Sequence, residues 1–324
     1  MIFDGHSDIW TDVTIRTLNG ETDIIKKHHL NKLKEGKISG SIFVVWVDPP
    51  YTSDPCKRSA QIFDSIKKEM EYCKDSVVFA KSYKDIERAL KEEKLYVLIG
   101  LEGLSSIGEN LDLIDDYYDF GARHASLTWN EENPFATGVR GNPDRGLTEL
   151  GKKAVKKINA KKMLLDVSHL NEKSFWDLLD AAEGPVIASH SNCRALCDVP
   201  RNLTDAQLKG IAATGGLVGL NSFNEFVHKD MEKQTVEMLV KHVEHMADVM
   251  GIDHVGIGMD YCDFLGDDVA SSFSSQETSY TKGLEDASKT SNLLTAMKAA
   301  GFSDEDIEKV AYKNFHRVIK KVIG

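Results

Sequence analysis

The sequence predicts an α/β protein built as one (β/α)₈ barrel spanning residues 1–324, and three observations carry that prediction. Short apolar runs alternate with stretches of helical period along the whole chain, which is the pattern of repeated βαβ units. Eight such runs can be counted, with no linker, low-complexity tract or internal repeat between them. Five of the eight end in histidine, aspartate or glutamate, at the end of the strand where barrel enzymes gather their active-site groups.

The first run, Ile2 to Asp8, reads IFDGHSD. Alternate side chains on a strand share a face, so Asp4, His6 and Asp8 are expected to point the same way. An amphipathic segment from Thr22 to Glu35 leads to Gly40–Val47, a continuous apolar run of the kind buried on both faces of a parallel sheet. Helical periodicity from Pro55 to Asp75 and from Tyr83 to Glu93 precedes a third strand, Leu95–Glu102, which ends in a carboxylate. A helix over Leu111–Phe120 stops at Gly121 and feeds the strand Ala122–Trp129. The segment from Asn130 to Gly146 has the Gly, Pro and Asn content of a functional loop. A basic helix from Leu147 to Ala160 then feeds Lys162–His169, and a helix near Asn171–Ala182 feeds Gly184–His190, both strands ending in histidine. Thr204 is expected to cap a helix running to Ala213. Gly215–Asn221 is the seventh strand, and the helix Gln234–Met250 precedes the eighth, His254–Asp260.

Composition excludes several function classes. The 41% hydrophobic content is dispersed in short runs, far from the roughly 20 consecutive apolar residues a membrane-spanning helix needs. A net charge of -11 argues against a nucleic-acid partner, because phosphate binding needs clustered Lys and Arg. Lys152, Lys153, Lys156 and Lys157 read as a solvated helix face. Five cysteines lack the density of a disulfide framework, and Cys193 and Cys197 are expected as partly buried thiols on a helix. With the first strand beginning at Ile2 and no basic and apolar leader before it, the expected location is the cytoplasm.

The strand-end residues His6, Asp8, Glu102, His169, His190 and Asp260 form one candidate constellation. A catalytic zinc site needs three protein ligands and a position for water. Three histidines and three carboxylates suffice for two ions sharing one ligand, and Glu102 is the candidate bridge, because its carboxylate can offer one oxygen to each ion. The competing explanation is a buried polar cluster that stabilises the barrel top, which is costly without a metal. The other histidines read as structural or solvated: His28 and His29 at the surface, His242 and His245 on an exposed helix face without the HExxH order, and His124 and His254 at strand starts.

These residues resemble the membrane (renal) dipeptidases, peptidase family M19, a branch of the metal-dependent hydrolase barrels. The resemblance covers nearly the whole chain: Asp4-Gly-His-Ser-Asp8, Gly100-Leu-Glu-Gly103, Asp166-Val-Ser-His169, Ser189-His-Ser191, Pro200-Arg-Asn202 and Gly256-Ile-Gly-Met-Asp260. It implies a binuclear zinc enzyme that cleaves dipeptides. By that similarity His6 and Asp8 hold one Zn²⁺, His169 and His190 the other, and Glu102 bridges the two ions. Arg201 matches the residue that binds the substrate carboxylate; taken alone it would read as a surface ion pair. Asp260 matches the acid/base beside the bridging water. Relatives anchored outside cells have a signal peptide and a lipid-anchor tail, neither of which is read here, and the resemblance further implies a homodimer.

The implied mechanism has two metal ions lowering the pKa of a bridging water, so that hydroxide attacks a polarised carbonyl. Asp260 takes the proton and delivers it to the leaving amine. The Arg201 guanidinium offers two parallel hydrogen bonds to the dipeptide's C-terminal carboxylate. One departure stands out. Where mammalian-type members have a histidine that assists the oxyanion, this chain has Trp129, expected as an apolar wall of the substrate pocket. Two other readings remain: a different barrel hydrolase, such as an amidohydrolase or a phosphoesterase, and a metal-stabilised binding protein without catalysis. The first strand's His-Ser-Asp, in place of HxH, and the presence of Glu102 weigh against the first. An intact Asp260 weighs against the second.

Overall fold

The computed structural model describes residues 1–324 except 267, 268, 270 and 277. Among the described residues nine parallel strands form the sheet: β1 (Ile2–Ser7), β2 (Ile38–Trp46), β3 (Val77–Phe79), β4 (Leu95–Glu102), β5 (Ala122–Ser126), β6 (Leu164–Asp166), β7 (Val186–Ala188), β8 (Leu217–Leu220) and β9 (Val255–Ile257). Eight of them close into a barrel. β2 pairs β4 from Gly40 opposite Tyr96 to Trp46 opposite Glu102, and β1 joins β9 at Asp4 opposite Ile257. The short β3 pairs only the first half of β4, from Leu95 to Val97, and β5 takes the second half of that edge, so β3 lies outside the ring. Periodicity did not reveal β3, because three residues are too few to set up an alternation.

Alternation within the long strands sorts the core. Ile42, Val44 and Trp46 of β2 cluster with Tyr96 and Leu98 of β4 in the barrel interior. Phe43, Val45, Val97, Ile99 and Leu101 pack outward under the helices. The C-terminal helix Asn314–Ile323 closes the interior from below, with the Phe315 ring 4.9 Å from that of Phe3. Glu102 shares its parity with Tyr96 and Leu98, so it emerges from the interior at the top.

Helix starts follow local chemistry. Thr204 caps Asp205–Ala213 in a capping box with Gln207, as its sequence position indicates. Asp54 caps Pro55–Cys73 with proline at the first helical position. Several expectations need correction. His242 is not on a solvated face: it is fully buried, its Nδ1 accepts from the Cys193 amide at 3.1 Å, its Nε2 bonds the Val227 carbonyl at 2.9 Å, and burial pushes its pKa down to about 4. His29 is also buried, 2.8 Å from Asp12. Cys193 and Cys197 sit in an irregular turn instead of a helix, both buried. For both histidines tertiary packing covered a residue whose local sequence reads as exposed. Among the described residues no helix is long and apolar enough to cross a membrane.

Candidate active site

The candidate residues meet at the C-terminal mouth of the barrel, but few of them lie within the strands. His6 belongs to β1, and Glu102 is the last residue of β4. Asp8 follows β1 directly, His190 lies just past β7, and Trp129, His169 and Asp260 lie further beyond β5, β6 and β9. A register shift between Asp4 and Ser7 breaks the alternation of β1. Asp4 and His6 therefore part company: Asp4 accepts the Met259 amide at 2.8 Å and latches β1 to the β9 end, whereas His6 enters the cluster. His169 and Asp260 both adopt left-handed backbone, φ 74° and 60°, which is uncommon for residues with a Cβ and held here by surrounding contacts.

Two groups converge. His6 Nε2 lies 3.6 Å from Asp8 and 3.8 Å from Asp260. Glu102 Oε1 lies 2.9 Å from His169 Nε2, 3.6 Å from His6 Nε2 and 3.7 Å from His190 Nε2, which puts this carboxylate between the histidine sets. Side-chain atoms of His6, Glu102 and His190, and of His6, Asp8 and Asp260, lie close enough together to share an ion.

A second layer orients these side chains, and sequence reasoning missed all of it. His169 Nδ1 donates to Asn130 Oδ1 at 2.8 Å. His190 Nδ1 donates to Ser189 Oγ at 2.7 Å; Ser189 Oγ donates to Asp166 Oδ2 at 2.5 Å; and His124 Nε2 donates to the same oxygen at 2.8 Å. His124 is thus no strand-opening residue at the barrel floor but an interior support for His190. Asn221 Nδ2 donates to Asp260 Oδ2 at 2.9 Å and leaves Oδ1 toward His6. Ser189 stands beside a candidate ligand and Asn130 beside Trp129, but nothing in the local pattern says which ring each serves.

This donor set fits divalent cations. With Nδ1 of His169 and His190 both donating, their Nε2 lone pairs face each other at 2.8 Å, an arrangement that repels unless a positive centre lies beside it. Among the described residues, both His6 ring nitrogens and Asp8 Oδ1 are buried without a hydrogen-bond partner. Burial pushes the Glu102 and Asp8 carboxyls above their ordinary range. Against burial, the carboxylates of Glu102, Asp8 and Asp260 drive His6 up to about 10. Burial, aided by the Arg201 charge, holds His169 and His190 well below the usual histidine range, in the neutral form that ligates metal. A cluster with this imbalance of charge gains from replacing protons by cations.

Beside it opens a cleft enclosing about 990 Å³ of non-protein space, including its open mouth. Arg201 is buried in its wall, with Nη2 3.3 Å from both His169 Nε2 and the His190 carbonyl, Nε without a partner, and the Phe226 ring 5.3 Å away. No carboxylate of the described residues lies within 4.0 Å of this guanidinium, so it is not the surface ion pair that its sequence context alone would give. Burial lowers its pKa to about 10, which leaves it charged at neutral pH. Trp129 is half-buried between Trp46, at 5.3 Å, and His169, at 6.1 Å between ring centroids.

Residues 1–323 match the sequence profile of the membrane dipeptidase family, peptidase family M19. The chain belongs to that family. It is thereby an enzyme of the metallo-dipeptidase class. Dipeptidase tcpJ of Claviceps purpurea (strain 20.1) is 30% identical over 304 residues, which cover 90% of this chain and 68% of that protein. The crystal structure of dipeptidase AC, a metallopeptidase of family M19, superposes with a TM-score of 0.87 at 26% identity and covers 100% of this chain and 98% of its own. A metallopeptidase from Rhodobacter sphaeroides, crystallised with a phosphinate mimic of the dipeptide L-Ala-D-Ala, superposes with a TM-score of 0.86 at 25% identity and 99% coverage of both chains.

Proposed function

We propose that this M19 enzyme is a binuclear zinc dipeptidase acting as one catalytic unit over residues 1–324. The observation that carries the reading is the buried Arg201 guanidinium, with no described carboxylate within 4.0 Å and 3.3 Å from His169 at the edge of the histidine and carboxylate cluster. A buried cation without a directly bonded carboxylate is costly, and a substrate carboxylate supplies that partner. Its distance from the cluster suits a substrate whose C-terminal carboxylate lies one residue from the scissile bond.

His6 and Asp8 are assigned to one Zn²⁺, His169 and His190 to the other, and Glu102 to both. When bound, such ions make a water acidic enough to attack at neutral pH and withdraw charge from the scissile carbonyl. The remaining work belongs to side chains. Asn221 holds Asp260 Oδ2, so Oδ1 is the atom that accepts the attacking water's proton and returns it to the leaving amine. Arg201 fixes the far end of the substrate in a fork of two hydrogen bonds, which measures its length. Trp129 and Trp46 form an aromatic wall that keeps bulk water from the reacting groups.

A panel of dipeptides, tripeptides and C-terminally amidated dipeptides offered to the zinc-loaded enzyme tests this reading. Hydrolysis confined to free dipeptides, and abolished by chelation, is expected. Equal turnover of tripeptides, or no turnover of any dipeptide, would refute it.

A further inference from the structure

The mouth of the cleft carries a second cation that the mechanism does not use. Arg140 stands in the loop 130–146 and is exposed at the rim. Its own amide donates to the Asn130 carbonyl at 2.9 Å, and the preceding amide of Val139 donates to the His169 carbonyl at 2.9 Å. The loop that carries Arg140 is therefore stitched to the candidate metal site. The guanidinium lies 5.6 Å from the centre of the Trp129 ring, and Nη1 donates to the Ser272 carbonyl at 3.3 Å. Its neighbour Arg145 pairs with Glu132 at 3.6 Å, whereas no carboxylate of the described residues comes within 4.0 Å of Arg140.

The surroundings sharpen the point. Much of the wall is apolar: Trp46, Trp129, Phe223, Phe226 and Phe273. Glu225 also lines the cleft, but it already accepts from the Ser275 amide at 2.7 Å and from Ser274 Oγ at 3.2 Å. Arg140 is thus a positive group at the rim of a largely aromatic cleft, with no described carboxylate within 4.0 Å of it.

We propose that Arg140 forms a second carboxylate subsite, so that the enzyme selects dipeptides with an aspartyl or glutamyl side chain. The proposal rests on the dipeptidase reading: Arg201 takes the terminal carboxylate and Arg140 the side-chain one. The aromatic face and the Ser272 carbonyl hold the guanidinium in place, which reduces the ordering cost of binding. Because the group is exposed, the selectivity is modest and sensitive to salt.

The test compares kcat/KM of the zinc-loaded enzyme for matched pairs, Ala-Glu against Ala-Gln and Glu-Ala against Gln-Ala, with Ala-Ala and Ala-Lys alongside. In the native enzyme one pair favours the acid by about 1.5- to five-fold, the range of an exposed ion pair. That ratio falls toward unity between about 50 mM and about 500 mM salt as the screening length shortens. It is lost in Arg140→Gln and partly retained in Arg140→Lys. The pair that shows the effect identifies which residue of the dipeptide faces Arg140. Flat ratios with Ala-Ala still cleaved, a ratio that survives in Arg140→Gln, or a preference for Ala-Lys that points to Glu225 would each overturn the subsite alone. Failure to cleave every dipeptide, Ala-Ala included, overturns the dipeptidase reading together with it.

Discussion

At the scale of single residues, the two pocket side chains Arg201 and Trp129 differ in what their loss exposes. Arg201→Ala removes a buried cation aimed at a carboxylate, so the penalty is expected mainly in KM, about 2–4 kcal/mol in kcat/KM. Steady-state kinetics on a dipeptide and its C-terminal amide check this as a cycle. Amidation should hurt the native enzyme about as much as the substitution does and add little in the variant; additive losses would mean that Arg201 acts elsewhere. Trp129 packs between Trp46 and His169 as a wall. Trp129→Phe keeps an aromatic face and removes the indole N–H, so kcat is expected to stay within about tenfold, whereas loss of an oxyanion donor costs about 100-fold or more. A large fall in kcat at unchanged KM would assign the N–H to catalysis.

At the scale of elements, strand ends deliver the candidate ligands and neighbouring elements aim them. The line from His124 on β5 through Asp166 on β6 to Ser189 and His190 past β7 crosses three adjacent strands. Ser189→Ala breaks it at the atom touching His190 and is expected to weaken zinc binding about 10- to 100-fold. Competition with a chromophoric chelator measures that affinity, and an unchanged value would make Ser189 a packing residue only. Interior space on β4 is equally specific. A Cβ on Gly100 would lie 2.6 Å from His124 Nδ1 and 2.8 Å from Ile42 Cγ2, so the missing side chain is what admits the His124 ring. Gly100→Ala should lower stability by about 1–3 kcal/mol through overpacking, read from urea unfolding of the metal-free protein. A stability equal to the native protein's would show that the ring has room to move.

At the scale of the whole molecule, the barrel gathers His6, Asp8, Glu102, His169 and His190 from strands far apart in the chain. The ligand set exceeds what one ion needs, so saturated, active enzyme is expected to contain two divalent ions per chain by elemental analysis. One ion per chain in fully active protein would end the binuclear reading. Because ions bind the assembled site and not the scattered residues of the unfolded chain, chelation should also lower Tm, with about 4 kcal/mol of stabilisation returning at a thousandfold excess over Kd.

Much of this was legible before any coordinates, for a definite reason. Strand-and-helix alternation, the eight barrel strands and the acidic or histidine residue at five of their ends are local properties, written within a few residues, and the barrel places every strand end at the same mouth. Even so, the strands proved shorter than the apolar runs: Trp129, His169 and Asp260 stand in the turns beyond β5, β6 and β9. Only the tertiary structure decided which atoms meet. Asn130 is bonded to His169, Ser189 links His190 to Asp166, and Asn221 steers Asp260, pairings between residues whose local context gives no preference for one partner over another. The same holds for His29 and His242, which look like surface residues on their helical stretches and are buried by elements arriving from elsewhere. Periodicity records which side of an element turns inward; burial and hydrogen-bond partnership depend on what the rest of the chain brings against it.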